Sequence, residues 1–427
     1  MRFSQPRHRP ERLRTAALRA LLFVSAWVSP ACQDDPHCEQ GACPIGQRCV
    51  FSTGLCEDDP AVELAALPQF SGAWTLVGLA GLRHAMVGYD LARRSLAWVE
   101  RDGSQSKVTW LAGPAAAQAQ GAGETSAALV TATGAVHVVW SRRGDGTLWH
   151  ATRTNGTWTT NQINDIEPYK VKGDLAFAPW FGRPTLAFED ATSGQAVVAS
   201  LDAGGTWLAE PVPTPPPIAG TSSSIGGPIR ISAHGAALSL AWYDPVGGDL
   251  VVATRGATWL VSRLGGRDPT TGADTSDAGA PCALTRDLDG GLIAAWRDRT
   301  AGEVRVARSA AGAIAVQTVS DGTATDTELG VDRRHVVGTA LDVTILANGR
   351  LAVAWQDASA ARIQLGVQNA SGGFSVADVP ASTGPQLRPR LLSRVDGTVL
   401  VGWLELDAVH GGGRPATWTW TPGGGTP

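Results

Sequence analysis

A short apolar run, an aromatic residue, an acidic residue two positions on and a turn recur along this chain. Its clearest copies are Leu238–Asp244 (LSLAWYD), Leu292–Asp298 (LIAAWRD) and Leu351–Asp357 (LAVAWQD). Looser copies are His84–Asp90 (HAMVGYD), Ala135–Arg142 (AVHVVWSR), Pro184–Asp190 (PTLAFED) and Val399–Glu405 (VLVGWLE). The index residues are Gly88, Trp140, Phe188, Trp242, Trp296, Trp355 and Trp403. They lie roughly fifty residues apart, in the range where a fixed period marks a solenoid or a propeller. Repeat positions are packing positions first, so the same pattern that restricts the fold says little about function.

The copy around Trp242 sets the expected unit. Ile229–Ala233, Ala237–Trp242, Asp249–Thr254 and Thr258–Arg263 read as four strands separated by Gly-containing turns. Four strands in series make an antiparallel meander, the unit of a propeller blade. Its second and third strands are almost wholly apolar, as expected for a sheet covered on both faces. Third strands follow at Ser95–Val99, Thr147–Thr152, Gln195–Ser200, Glu303–Arg308, Arg362–Val367 and Pro415–Trp420. The fold expected is therefore all-β, a seven-bladed propeller over 61–420. After Trp420 only a Gly/Pro tail, 421–427, remains, and it cannot supply a fourth strand. Val62–Pro68 (VELAALP) is the segment expected to complete the last blade and close the ring, which hides the sheet edges.

Composition agrees: 43% hydrophobic, 17% charged, 51 Gly and 26 Pro in 427 residues suit many short strands and tight turns. The N-terminus, 1–31, reads as an export signal. Arg2, Arg7, Arg9, Arg12 and Arg14 precede the apolar run Ala20–Val28, which is too short to span a bilayer. Ser29-Pro30-Ala31-Cys32 resembles a bacterial lipobox, which implies a lipid on Cys32; cleavage after Ala31 to give a secreted protein is the rival reading. Residues 32–60 hold Cys38, Cys43, Cys49 and Cys56. With Cys32 lipidated, those four can form two disulfides in one of three connectivities, and an exported protein meets an oxidising compartment. No Cys-x-x-Cys pair is present, so no metal site is expected there. Cys282 reads as a buried thiol at the start of a strand. Loss of the signal removes Arg19 as well, leaving a chain more acidic than its formal −4. No basic stripe suits nucleic acid, and the membrane is reached only through the lipid.

Ser200–Trp207 (SLDAGGTW) fits the Asp-box, S-x-D-x-G-x-T-W, through Ser200, Asp202, Gly204, Thr206 and Trp207. Looser forms occupy the equivalent turn at Thr154–Trp158, Arg255–Trp259 and Asn369–Phe374. The chain thus resembles BNR-repeat, sialidase-like propellers. The resemblance implies a structural hairpin away from any active site, with the Asp carboxylate accepting backbone N–H groups and the Trp packing between sheets. It does not extend to catalysis. Tyr89, Tyr169 and Tyr243 are the only tyrosines, and Tyr89 and Tyr243 sit inside the repeat, between the index position and its Asp, which gives them an architectural explanation. Phe181-Gly182-Arg183-Pro184 falls in a mid-chain turn rather than early in the chain, as that family's Arg-containing motif does. Arg230, Arg286 and Arg390, on first strands, are expected to line a solvated channel. No catalytic residue is assigned.

Three kinds of position remain. The acidic residues Asp90, Asp190, Asp244, Asp298, Asp357 and Glu405 share one turn, where an Asx-turn role explains the repeat; Arg142 interrupts the series. Long fourth-to-first-strand connections occur in succession at Pro211–Gly227, Leu264–Pro281 and Val319–Thr339, and long loops in compact repeats tend to carry function. Within them Asp268, Asp274, Asp277, Asp321, Asp326 and Glu328 could meet calcium, without the spacing of an EF-type loop; otherwise no cofactor is expected. His84, His137, His150, His234 and His335 show no ligand spacing. The expectation is a monomeric lipoprotein of the cell envelope, in the outer membrane or periplasm, whose loop-rich face binds a protein or carbohydrate without catalysis. The alternative is a secreted sialidase-like glycoside hydrolase.

Overall fold

The computed structural model describes residues 47–50, 55–58 and 67–422, less 117–122, 143–144, 218–221, 267–275, 311–312, 327–330, 381–383 and 407–411. Two units separate, Met1–Ala66 and Leu67–Pro427. In the first, Gln47–Val50 and Leu55–Asp58 form a hairpin whose register sets Cys49 opposite Cys56. Cys32, Cys38 and Cys43 lie outside the described residues.

The second unit is a series of antiparallel meanders. Meander I is Phe70–Gly78, His84–Asp90, Ser95–Asp102 and Gln105–Ala112; II is Ser126–Val130, Val136–Ser141, Leu148–Thr154 and Thr157–Gln162. Meander III is Val171–Trp180, Arg183–Asp190, Ala196–Leu201 and Trp207–Pro211; IV is Arg230–His234, Ala237–Asp244, Asp249–Arg255 and Trp259–Gly265. Meander V is Ala278–Arg286, Leu292–Asp298, Glu303–Ala310 and Ala313–Ser320; VI is Val337–Ile345, Leu351–Asp357, Arg362–Gln368 and Phe374–Asp378. Meander VII has three strands, Gln386–Ser393, Val399–Leu406 and Gly413–Trp420. Each third strand lies where its apolar run placed it.

The first strand of every meander touches the first strands of the meanders before and after it, and that of VII touches that of I. An apolar cluster fills each junction in turn. One of them, with Phe70, Trp74 and Met86 against Leu400 and Leu404, joins VII back to I. Sheets set in a cycle around their first strands are the arrangement of a β-propeller. The ladder between I and VII consists of one pair, Phe70↔Gly413. Of the strand expected at Val62–Pro68, residues 62–66 lie outside the described residues, and Leu67 and Pro68 are not in a strand.

The repeat explains the core. Trp140, Trp242, Trp296 and Trp355 are at most 2% exposed, and Phe188 is fully buried. In meander I the index residue is Gly88, and the vacated volume is filled by Phe70, whose ring lies 2.5 Å from where a Gly88 Cβ would stand. The acidic positions cap the turns that follow them. Asp90 accepts the Arg93 N–H, Asp190 that of Ser193, Asp244 that of Val246, Asp298 that of Ala301, and Asp357 those of Ser359 and Ala360. Three of these carboxylates also take a backbone N–H from the preceding connection, at Gln69, Lys170 and Ser224. All five are buried; the three bonded to the preceding connection hold two loops together, and the five present no ring of free carboxylates.

Two expectations change. The first strand of meander V begins at Ala278, not Cys282, because a bulge between Ala278 and Cys282 lets pairing start earlier. The connection Val319–Thr339 is not a plain loop: it contains a hairpin of Thr323–Asp326 with Val331–Arg334. Cys282 is buried and free, and burial pushes its thiol up to about 11, which keeps it protonated and inert.

Candidate functional site

The loop-rich face carries the turns between second and third strands and the connections between meanders. On it, between the fourth strand of V, the 323–334 hairpin and meander VI, lies a cavity of about 370 Å³. Its polar lining includes Ser320, Asp321, Thr323, His335, Asp357 and Gln364; Val319, Val337 and Val376 give it apolar ground.

Local hydrogen bonds hold these groups in place. The His335 N–H donates to Gly322 O at 2.7 Å, which closes the base of the hairpin. Gly322 sits at φ 73°, and a Cβ there would lie 2.8 Å from Gly302 O. Asp321 Oδ1 accepts the Thr323 N–H. His335 Nδ1 lies 2.7 Å from Asp357 Oδ2. A carboxylate only accepts, so Nδ1 carries a proton and donates it to Asp357, which fixes the ring's orientation. Gln364 is fixed at both ends: Oε1 accepts from Trp355 Nε1, and Nε2 donates to Asp378 Oδ1, each at 3.0 Å. Hydroxyls, carboxylates and an oriented imidazole around valine methyl groups form a surface that can exchange hydrogen bonds with a polyhydroxylated ligand. Sequence spacing could not show the His335–Asp357 pair, because the two residues belong to different elements.

Of the channel arginines, Arg230 and Arg390 lie close enough for their charges to act on each other. Arg286 donates to Gly290 O and Ser239 Oγ. Arg390 donates from Nε to Trp74 O at 2.9 Å and lies over the Trp74 ring. Burial, and then the charge of Arg230, push Arg390 down to about 10. Tyr243 donates its hydroxyl to Asp277 Oδ1 at 2.7 Å, with Arg299 over its ring; burial and Asp277 raise it to about 12. Asp277 is thereby engaged as a structural acceptor. Asp268, Asp274 and Glu328 lie outside the described residues, as does the side chain of Asp326. Among the described residues no group of three His, Cys, Asp or Glu is placed to hold a metal ion.

The opposite face carries the turn 202–206, where the sequence suggests an Asp-box. Asp202 Oδ1 accepts the N–H groups of Gly204 and Thr206, at 2.8 and 2.9 Å. Ser200 Oγ and Thr185 Oγ1 share a bond of 3.0 Å across the sheet. Trp207 is buried against the His150 ring edge and Phe177. The same turn differs in II and IV. There Trp158 and Trp259 are half-buried, each with an arginine over its ring, Arg153 and Arg255. Each of these arginines is paired with a glutamate from the preceding meander, Glu100 or Glu210.

No family model matches the sequence, and no curated protein matches it. Solved structures do. The polysaccharide lyase Uly1 is similar at 13% identity, over 89% of this chain and 93% of its own, with a TM-score of 0.50. The lectin of Aleuria aurantia, described as a six-bladed β-propeller with a novel fucose recognition mode, matches at 14% identity over 74% of this chain and 99% of its own (TM-score 0.46). AofleA of Arthrobotrys oligospora matches at 11% identity over 74% and 88% (TM-score 0.48). At these identities the likeness is one of fold.

Proposed function

We propose that this chain is an exported, lipid-anchored envelope protein whose seven blades present a carbohydrate-binding site on the loop-rich face, without catalysis. The observation that carries this reading is the cavity of about 370 Å³ beside the 323–334 hairpin. It combines donors and acceptors at several angles with apolar ground, the chemistry that sugar rings require of a pocket. A glycan fits this concave lining better than a protein partner, whose interfaces are broad, near 800 Å² a side. The seven-blade count rests on the cycle of first strands and on the apolar cluster at every junction. Anchoring rests on Cys32 and the run before it.

The test of binding is a glycan array probed with purified protein and with Thr323→Trp, an exposed position at the cavity mouth. The expected result is a bound glycan class that the variant loses. An array with no signal, or a variant that binds unchanged, would falsify the site. Labelling of cells with palmitate tests the anchor separately: incorporation that persists in Cys32→Ala would remove it.

A further inference from the structure

The turns between first and second strands all open on the face opposite the loop-rich one, around the mouth of the channel. Four of them carry a large apolar side chain at the tip: Leu82 in I, Phe181 in III, Leu288 in V and Val395 in VII, exposed by 59, 63, 56 and 94%. In II, IV and VI the exposed tip residue is the smaller Ala132, Ala236 or Ala347. The turns brace one another. Trp180 Nε1 of III donates to Ala236 O of IV at 3.0 Å, and Arg394 of VII donates to Leu82 O of I at 3.1 Å. Gly290 of V lies so near His234 of IV that a Cβ would stand 2.9 Å from its Nδ1, and Leu288 Cδ1 lies 3.8 Å from the Cβ position of Gly349 in VI. The apolar tips are thus held as one annulus rather than scattered singly.

Phe181 sits at φ 49°, where a hairpin turn favours Asn or Gly over a bulky ring, so the turn does not account for it. Its ring lies beside that of Trp180, centroids 5.2 Å apart. Each apolar tip has an arginine within two residues: Arg83 for Leu82, Arg183 for Phe181, Arg286 for Leu288 and Arg394 for Val395. Arg350 closes the turn of VI. Among the described residues none of these five lies within ion-pair distance of a carboxylate. Their hydrogen bonds go to neutral groups: Arg83 to Ala80 O, Arg286 to Gly290 O and Ser239 Oγ, Arg350 to Gln368 O, Arg394 to Leu82 O and Thr419 Oγ1. On the loop-rich face, by contrast, Arg93, Arg263, Arg305 and Arg362 each meet a turn carboxylate. Of the acidic residues around the mouth, Asp287 is matched by Arg308, while Asp289 and Asp396 accept backbone N–H groups of their own turns. Asp102 and Asp202 stand farther out, on turns between third and fourth strands.

We propose that this annulus docks the protein on a phospholipid surface with anionic headgroups, Leu82, Phe181, Leu288 and Val395 entering below the headgroups and the five arginines meeting phosphates at their level. A guanidinium fork binds phosphate through two bonds, and apolar tips flanked by cations match a surface that is anionic outside and apolar beneath. A protein partner would need a continuous patch with few charges at its centre, whereas here apolar tips and arginines alternate around an open channel mouth. The proposal rests neither on the loop-face cavity nor on a lipid at Cys32. Net charge conceals such a face, because its arginines come one to a turn along a chain of formal charge −4.

Co-sedimentation with vesicles tests it, using the full mature chain with Cys32→Ala so that no acyl group contributes. Vesicles of phosphatidylcholine mixed equally with phosphatidylglycerol are expected to bring the protein down, less so as salt rises, and vesicles of phosphatidylcholine alone much less. Phe181→Asp and Val395→Asp change exposed tips, and Asp tolerates the positive φ at 181, so neither disturbs the core. Each should weaken partitioning about tenfold, as should Arg83→Glu combined with Arg183→Glu. Leu91→Asp, at an exposed turn of the loop-rich face, should bind as the parent does. No binding to the anionic vesicles at low salt overturns the proposal and leaves this face to a protein partner. Binding unchanged in both Phe181→Asp and Val395→Asp also overturns it, since charge alone would then hold the vesicle. So does a loss with Leu91→Asp equal to theirs.

Discussion

His137 and His150 stack in meander II with ring nitrogens 2.9 Å apart, and His150 packs edge-on against Trp207. Burial holds both down, His150 to about 3, and His84 falls to about 4 for the same reason, aided by Arg394 and Arg101. An unfolded histidine titrates near 6.5. The folded values are the lower ones, so below pH 6.5 the unfolded chain takes up protons that the folded chain refuses. Stability is therefore full above pH 6.5 and falls as the pH drops from there toward 3. At pH 4.5, His150 and His84 each cost about 2–3 kcal/mol. Denaturant midpoints of the protein and of His150→Gln at pH 7.5 and 4.5 check this. The variant should lose less on acidification, and an equal loss in both would refute it. At this scale the sequence disclosed which residues pack but not with what. The Trp index positions read directly as core, yet the filling of the Gly88 position by Phe70 required knowing that the two strands lie side by side with Ser71 and Trp74 around a bulge.

That bulge recurs. The register of the first strand slips at Ser71/Trp74 in I, Lys172/Ala176 in III, Ala278/Cys282 in V, Val337/Leu341 in VI and Leu387/Arg390 in VII. A residue with positive φ sits in each slip: Gly72, Gly173, Gly279, Gly338 and, in the last, Arg388. Arg388 donates to Gly72 O, so the one bulge without glycine is tied to the next bulge around the ring. Strand positions were legible because each is a continuous apolar run between turn residues. The bulges were not, because a lone glycine in a strand has many explanations. Gly338→Ala tests their importance. At φ 76° its Cβ would meet Val304 Cγ2 at 3.0 Å and Arg297 Cβ at 3.2 Å. A loss of about 1–3 kcal/mol is expected from backbone strain and crowding together. Gly372→Ala, at φ 90° with nothing within 4 Å, should lose less. Equal losses in urea unfolding would mean that the bulge itself is not what holds the strand.

At the scale of the molecule, the repeat was enough to set a series of meanders, and their cyclic contacts follow from covering every apolar face. Function was less legible. The cavity near the 323–334 hairpin does fall in one of the connections singled out by length, but its His335–Asp357 pair joins residues from two elements. One consequence concerns the seam at Phe70 and Gly413. The chain enters the ring beside the sheet with which it ends, so the junction between VII and I needs neighbours in space, not a particular starting point along the polypeptide. Such a molecule should tolerate circular permutation. A protein begun within 218–221, with Trp420 joined to Leu67 by a flexible linker, is expected to give the same β-sheet circular dichroism and a single cooperative melt. A permutant that melts in separate steps would show instead that the order of the meanders along the chain holds the ring together.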